Sequence, residues 1–237
     1  VTAVVSGNWP NEPAGFAVQS ERGFDATVES GWSGAGSPVF TLAIVSDGTA
    51  SKSPSNVGEC PYPTGTGAGG GPFGGEWNGW SGGKTHIYMS FWVKRSSNWS
   101  WHSSGVNKIG FVWLHGNPSV YFSDQGSSAP VQAQVRLQNI PSGARNLTPN
   151  VTNVAVTAGN WYRWEVVLKT NTAGNANGEA HWWINGTKVG QYTDILYADA
   201  SQGHTWEKVQ YYPIWGGVGG TKAQDEFVRM DHWYISA

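Results

Sequence analysis

The chain has 237 residues, long for an average domain and ordinary for one large β-sandwich. Only 13% of its residues are charged and the formal net charge is −2, which excludes charge-driven recruitment of nucleic acid or of an anionic membrane. Cys60 is the single cysteine, so no intramolecular disulfide is available and the fold must stand on its core.

No stretch approaches the roughly 20 apolar residues of a membrane helix, so no membrane insertion is expected. The start of the chain lacks a basic region followed by an apolar run, and a secreted protein is therefore expected in its mature form. The composition points the same way. Fifteen Trp and 33 Gly stand against two Met. Indole faces stack on the C–H faces of pyranose rings, and amides and hydroxyls satisfy sugar hydroxyls.

In chain order, the predicted strands are short and β-branched or aromatic. They run over 15–19, 25–29, 40–45, 85–94, 107–115, 131–138, 161–169, 179–184, 188–192, 207–214 and 226–235. No window repeats apolar residues at helical spacing over three turns, so no helix is expected. The Gly-rich stretch 65–83, with Trp77 and Trp80, reads as a long loop. Asn185-Gly186 between two strands is a type I′ hairpin signal, because both residues tolerate positive φ. Many strands separated by Gly, Asn and Ser turns predict an all-β fold: a two-sheet antiparallel β-sandwich or jelly roll, as a single domain over residues 1–237.

Val131 to Gln138 alternates without error, with Val131, Ala133, Val135 and Leu137 on one side and Gln132, Gln134, Arg136 and Gln138 on the other. Solvated strand faces usually carry Thr, Lys, Glu and Ser. A row of amides and a guanidinium instead suits the hydroxyls and carboxylates of a sugar polymer. Alternation in the neighbouring segments places Trp113 with His115, His181 with Trp183, and Val209 with Tyr211. A sheet built from these strands is expected to gather Gln132, Gln134, Gln138, Arg136, His115, His181, Trp113, Trp183 and a Tyr around one groove.

Two hydrolytic carboxylates on such a groove are hard to find. Glu165 and Glu226 are the strand candidates, and each reads equally as an ion-pair partner. β-Elimination from a uronic acid fits better, since it needs a neutralised carboxylate, a base and an acid. Arg136 and Gln134 supply the first, His115 or His181 the second, and Tyr211 or Tyr212 the third. Trp113, Trp183, Gln132 and Gln138 are expected to bind flanking sugars. The reaction needs no cofactor. Asp25, Asp231 and Glu21 are the candidates for a structural Ca²⁺. The six His show no close pairing of the kind a transition metal uses.

Four segments together carry a family resemblance: Ile87 to Lys94, Gly159 to Val166, Trp182 to Gly186, and Met230 to Ser236. They resemble the concanavalin A-like jelly rolls, and within them the heparin-lyase and glucuronan-lyase type of polysaccharide lyase, over residues 85–237. The resemblance implies the sandwich and a polysaccharide as partner. Alginate lyases of this fold carry a Gln-Ile-His or Gln-Val-His strand, and here that strand reads Gln134-Val135-Arg136, with Arg in the place of His. The expected function is a secreted carbohydrate-active protein that cleaves a polyuronate by β-elimination. A lectin-like binding module without catalysis and an extracellular structural or adhesive subunit are the alternatives.

Overall fold

Alternating β-branched and aromatic residues pair into strands throughout the computed structural model, which describes residues 9–27, 29–34, 42–69 and 75–237. No helix occurs among the described residues. In chain order the strands are β1 (Val18–Arg22), β2 (Ser33–Gly34), β3 (Ala43–Val45), β4 (Val57–Tyr62), β5 (Glu76–Lys84) and β6 (His86–Arg95). Then follow β7 (Val106–Leu114), β8 (Ser119–Gln125), β9 (Val131–Ile140), β10 (Gly143–Leu147) and β11 (Ala155–Val156). The last are β12 (Trp161–Lys169), β13 (Gly178–Ile184), β14 (Thr187–Ile195), β15 (Trp206–Trp215) and β16 (Glu226–Ser236).

These form two eight-stranded antiparallel sheets. The back sheet runs β14-β13-β12-β6-β16-β4-β3, with β1 paired to β16. The front sheet runs β10-β9-β8-β7-β15-β5-β2, with β11 paired to β9. The chain repeatedly changes sheet, from β5 to β6, β6 to β7, β11 to β12, β14 to β15 and β15 to β16. That is the winding of an all-β jelly-roll sandwich, as the strand pattern predicted.

Inward-facing side chains from both sheets meet in one hydrophobic cluster, which includes Trp164, Trp182, Trp206 and Trp233. All four indoles are fully buried. Each removes on the order of 200 Å² from water, worth about 5 kcal/mol before entropy is counted. Phe91 stacks between two of them, 6.0 Å from Trp164 and 4.5 Å from Trp233 by ring centroid. Trp182 on β13 also donates its indole N–H across the core to the Ala133 carbonyl on β9, at 3.1 Å. Gly190 on β14 makes room for that ring, since a Cβ there would lie 1.9 Å from it.

Four predicted segments differ from the observed ones. Residues 76–83 of the expected 65–83 loop instead belong to strand β5, where Gly83 is closely packed: a Cβ there would meet the Thr205 side chain at 2.3 Å. The expected strand 25–29 is no strand where it is described. Glu29 turns back to accept from the Gly23 amide at 3.0 Å, a side-chain-to-backbone bond that competes with pairing. The first strand begins at Val18, not Gly15, and of the expected 40–45 strand residues 40 and 41 lie outside the described residues. Strands β4, β8 and β10 had no counterpart in the sequence reading. The hairpin at Asn185-Gly186 is as expected, with φ of 51° and 83°.

The outer side of the back sheet is covered along part of its length by residues 9–17. Asn11 gives both its backbone and side-chain N–H to the two oxygens of Glu165, each at 3.1 Å. Tyr88 donates to the same carboxylate at 2.8 Å, and Arg163 pairs with it at 3.0 Å. Trp9 packs on Tyr234, and Phe16 sets its edge on His86. Glu165 is thus fully buried and fully bonded. Glu226, the other hydrolase candidate, is equally committed, to Lys222 and to the Ser100 hydroxyl and amide.

Candidate functional site on the front sheet

The front sheet's outer side carries a row of residues held in register across seven strands. Asn146 on β10 faces Arg136 on β9, which faces Tyr121 on β8. The row continues through Phe111 on β7 and Gln210 on β15 to Trp77 on β5 and Ser33 on β2. A parallel row joins Gln138, Ser119, Trp113, Lys208 and Gly79, and another joins Gln134, Ser123 and Lys108.

Strict alternation would put Lys108 on the core side of β7 with Val112 and Leu114. A register shift between Lys108 and Gly110 turns Lys108 outward, while Ile109 stays in the core and Gly110 leaves room for the Trp233 ring. The ammonium of Lys108 lies 5.3 Å from the Phe111 ring centroid and 4.7 Å from that of Tyr121. Arg136 lies over the same tyrosine, 5.4 Å from its ring centroid, and donates from Nε to the Asn146 side chain. Lys208 sits 4.9 Å from the Trp77 ring and 5.8 Å from that of Trp113. The rings beneath are continuous: Phe111 stacks on Trp113, and Tyr121, Tyr212, Ile214 and Val106 complete the cluster.

Two electrostatic facts define this face. Lys108, Arg136 and Lys208 have no carboxylate partner among the described residues. Several polar atoms on the same side are also buried without a hydrogen-bond partner: Gln134 Oε1, Gln125 Oε1, Ser119 Oγ and the indole N–H groups of Trp77 and Trp113. Uncompensated cations on one face give it a positive local potential. Burial, with the Arg136 charge adding to it, lowers the Lys108 pKa below the ordinary lysine value. Burial raises that of Tyr121 against the opposing pull of Arg136, which keeps the phenol protonated.

The sequence-derived residues divide. Gln134, Arg136, Gln132, Gln138 and Trp113 lie together on this face. His115 lies just beyond the end of β7, exposed, with Nδ1 against Glu207. His181 and Trp183 do not join them: β13 belongs to the back sheet, where His181 contacts Glu179 at 3.1 Å. Period-two alternation assigns a face within a strand but not the sheet to which the strand belongs. Tyr211 points into the core with Val209, against Phe24 and Trp233, and burial raises its pKa far above the usual phenol range. Its neighbour Tyr212 takes the outer side instead.

No group of three or more His, Cys, Asp or Glu side chains suited to a metal occurs among the described residues. Asp231 accepts from the backbone amides of Lys52 and Ser53, and Asp25 accepts from the Asn56 side chain. Sequence reading missed Lys108, Tyr121, Trp77 and Lys208. Only Tyr121 had a legible signal, the alternation Ser119, Tyr121, Ser123, Gln125 within an unassigned strand.

Because His115 lies beyond the far end of β7 from Lys108 and is largely in solvent, His115→Ala is expected to change stability by no more than about 0.5 kcal/mol. It should leave turnover of any substrate of this face near the parental rate, as steady-state kinetics and a thermal melt would show.

No protein-family model matches the chain, and no curated relative does. Among solved structures, a variant of alginate lyase Aly36B in complex with an alginate trisaccharide superposes with TM-score 0.63 at 18% identity, covering 76% of this chain and 80% of that one. The chain has the fold of the jelly-roll polysaccharide lyases. Endo-β-1,4-glucuronan lyase from the fungus Trichoderma reesei gives 0.58 at 15% identity, with coverage of 83% and 87%. Cellulose induced protein Cip1 gives 0.56 at 15%, with coverage of 92% and 96%. Aly36B was also solved with an alginate tetrasaccharide as a variant lacking one lysine and one tyrosine.

Proposed function

We propose that this jelly roll binds an anionic polysaccharide on the outer side of its front sheet and cleaves it by β-elimination, acting outside the cell. The observation that carries the reading is the uncompensated cationic group Lys108 and Arg136 around Tyr121, with Gln134 on the same face. Arg136 and the Gln134 amide hold the uronate carboxylate. Neutralising that group makes the neighbouring C5–H acidic, because the electron pair released there delocalises into the carboxylate. The Lys108 amine, in its neutral form, takes the C5 proton. The pair then forms the C4–C5 double bond as the C4–O glycosidic bond breaks, and the Tyr121 phenol gives its proton to the leaving oxygen. The structurally similar lyases act on alginate and glucuronan, and the Aly36B variant lacking a lysine and a tyrosine holds its substrate, which supports a Lys–Tyr pair in the acid and base roles.

A second reading has its own support. Cip1, whose name claims no lyase activity, shares more of its length with this chain than the lyases do, and the strand residue paired with Gln134 is Ser123, not a His. A binding module without turnover would need the cations and the indoles but no base.

The test is incubation with a panel of polyuronates and neutral glucans, following the ultraviolet absorbance of the unsaturated uronate together with retention on each polymer. Rising absorbance with a polyuronate supports the lyase. Retention alone establishes the binding module, and the absence of both with every polymer overturns the polysaccharide reading. For the lyase, rate is expected to rise with pH as Lys108 loses its proton. Because burial lowers its pKa, the midpoint of that limb should fall below pH 10.5, the ordinary lysine value. A limb that persists in Lys108→Ala would assign it to another group.

A further inference from the structure

One extra residue in β9 decides which side of the front sheet Asn146 occupies. Alternation through Gln132, Gln134, Arg136 and Gln138 would send residue 140 outward as well, yet Ile140 lies in the core. The pairing explains it. Gly143 is opposite Ile140 and Arg145 is opposite Leu137, so Gln138 and Asn139 of β9 stand against the single residue Ala144 of β10. Asn139 takes the left-handed conformation at this bulge, with φ of 55°. Directly opposed residues share a side of a sheet. The bulge therefore puts Asn146 outward with Arg136, and Arg145 on the inner side with Leu137. In an unbulged pair the two would exchange sides.

Strand β10 lies at the edge of its sheet, where local opening is easiest. Both neighbours of Asn146 are nevertheless tied down. Arg145 reaches β14 in the back sheet, where its Nη2 donates to the two carboxylate oxygens of Asp194 at 3.0 and 2.9 Å. Its guanidinium also lies 5.3 Å from the Tyr192 ring centroid. Leu147 is fully buried, and the Thr148 carbonyl accepts from the Tyr192 hydroxyl at 2.9 Å. Between these anchors the Asn146 side-chain oxygen accepts from Arg136 Nε.

That bond has a chemical consequence. A guanidinium offers a carboxylate two forked edges, one made by Nε with an Nη and one made by the two Nη groups. With Nε engaged, the Nη pair is the edge left for a ligand. Asn146 is neutral, so it orients the guanidinium without cancelling its charge.

We infer that Asn146 is a positioning residue, held by the β9 bulge and the Arg145–Asp194 clasp, which aims the Nη pair of Arg136 at the substrate carboxylate. The inference rests on the reading of Arg136 as the holder of that carboxylate.

Asn146→Ala and the isosteric Asn146→Asp test it, each checked for an unchanged thermal midpoint. One readout needs no substrate. The Arg136 Nε–H resonance, identified by its loss in Arg136→Lys, should exchange with solvent about tenfold faster or more in Asn146→Ala than in the parent. On a polyuronate, Asn146→Ala is expected to lower kcat/KM, or the affinity if the protein binds without turnover, by about ten- to a hundredfold. Asn146→Asp should keep the slow exchange but raise KM or Kd by about tenfold or more, because its carboxylate cancels the charge that the substrate meets. An asparagine with a merely structural role would tolerate that isosteric change. Parental exchange or parental kinetics in Asn146→Ala overturns the inference and leaves the reading of Arg136 intact. If the parent protein neither binds nor cleaves any polyuronate, that reading fails and takes the inference with it.

Discussion

Lys108→Ala is expected to lower kcat on a polyuronate by about 10²–10⁴-fold, the usual contribution of a positioned general base, while oligouronate binding persists. Lys108 is turned outward by the register shift in β7, and it sits over the Tyr121 ring with Arg136 on the same ring. Its amine is thereby held beside the place where Arg136 and Gln134 receive a carboxylate. Burial favours its neutral form, which is the form a base needs. Lys108→Arg sharpens the test, because it keeps the cation but supplies a group that does not deprotonate in water. The expected result is binding without turnover. Loss of the contacts to Phe111 and Tyr121 should cost stability only about 0.5–1 kcal/mol, so a folded variant is expected. Full turnover by Lys108→Ala would move the base to another group on this face, with Tyr212 the first to examine.

The second large effect concerns the joint between the sheets. Arg95, the last residue of β6 in the back sheet, pairs at 2.7 Å with Asp124 of β8 in the front sheet. Both side chains are almost wholly buried, at 3% and 2% exposure, and the guanidinium also lies over Trp99 and Trp101. The pair is incompletely satisfied. Arg95 Nε and Nη1 and Asp124 Oδ1 have no hydrogen-bond partner, and burial raises the Asp124 pKa against the pull of Arg95. Removing one member leaves a buried charge without compensation. Asp124→Ala is therefore expected to cost about 3–5 kcal/mol, a fall in Tm of roughly 6–20 °C in a chain of this size. The double variant Arg95→Met, Asp124→Leu should recover most of that loss, because desolvating two charges consumed much of their attraction. Calorimetry of the three proteins decides it. A single variant that melts with the parent would mean that water reaches the pair.

Much of this architecture was legible in particular residues. The unbroken alternation of Val131 to Gln138 gave a strand, its core side and its polar side, and Asn185-Gly186 gave its hairpin. Both are local properties, set by side-chain period and by tolerance of positive φ. Strand β5 was hidden because glycine reads as a turn signal, while here Gly79 and Gly83 lie in a strand, Gly83 against the Thr205 side chain. Tyr211 was placed on the binding face for want of knowing which side of β15 faced the core.

By itself, then, the sequence determined the fold class, the strand that carries Gln134 and Arg136, and the paucity of charge that makes unpaired cations notable. The tertiary structure alone decided which strands share a sheet, and so removed His181 and Trp183 from the site and brought in Tyr121, Trp77 and Lys208. It also decided, through one register shift in β7, that Lys108 faces outward. The reason is physical: alternation along a strand is fixed by the backbone of that strand, whereas pairing between strands far apart in sequence is fixed by how their faces pack, and a shift of one residue exchanges those faces.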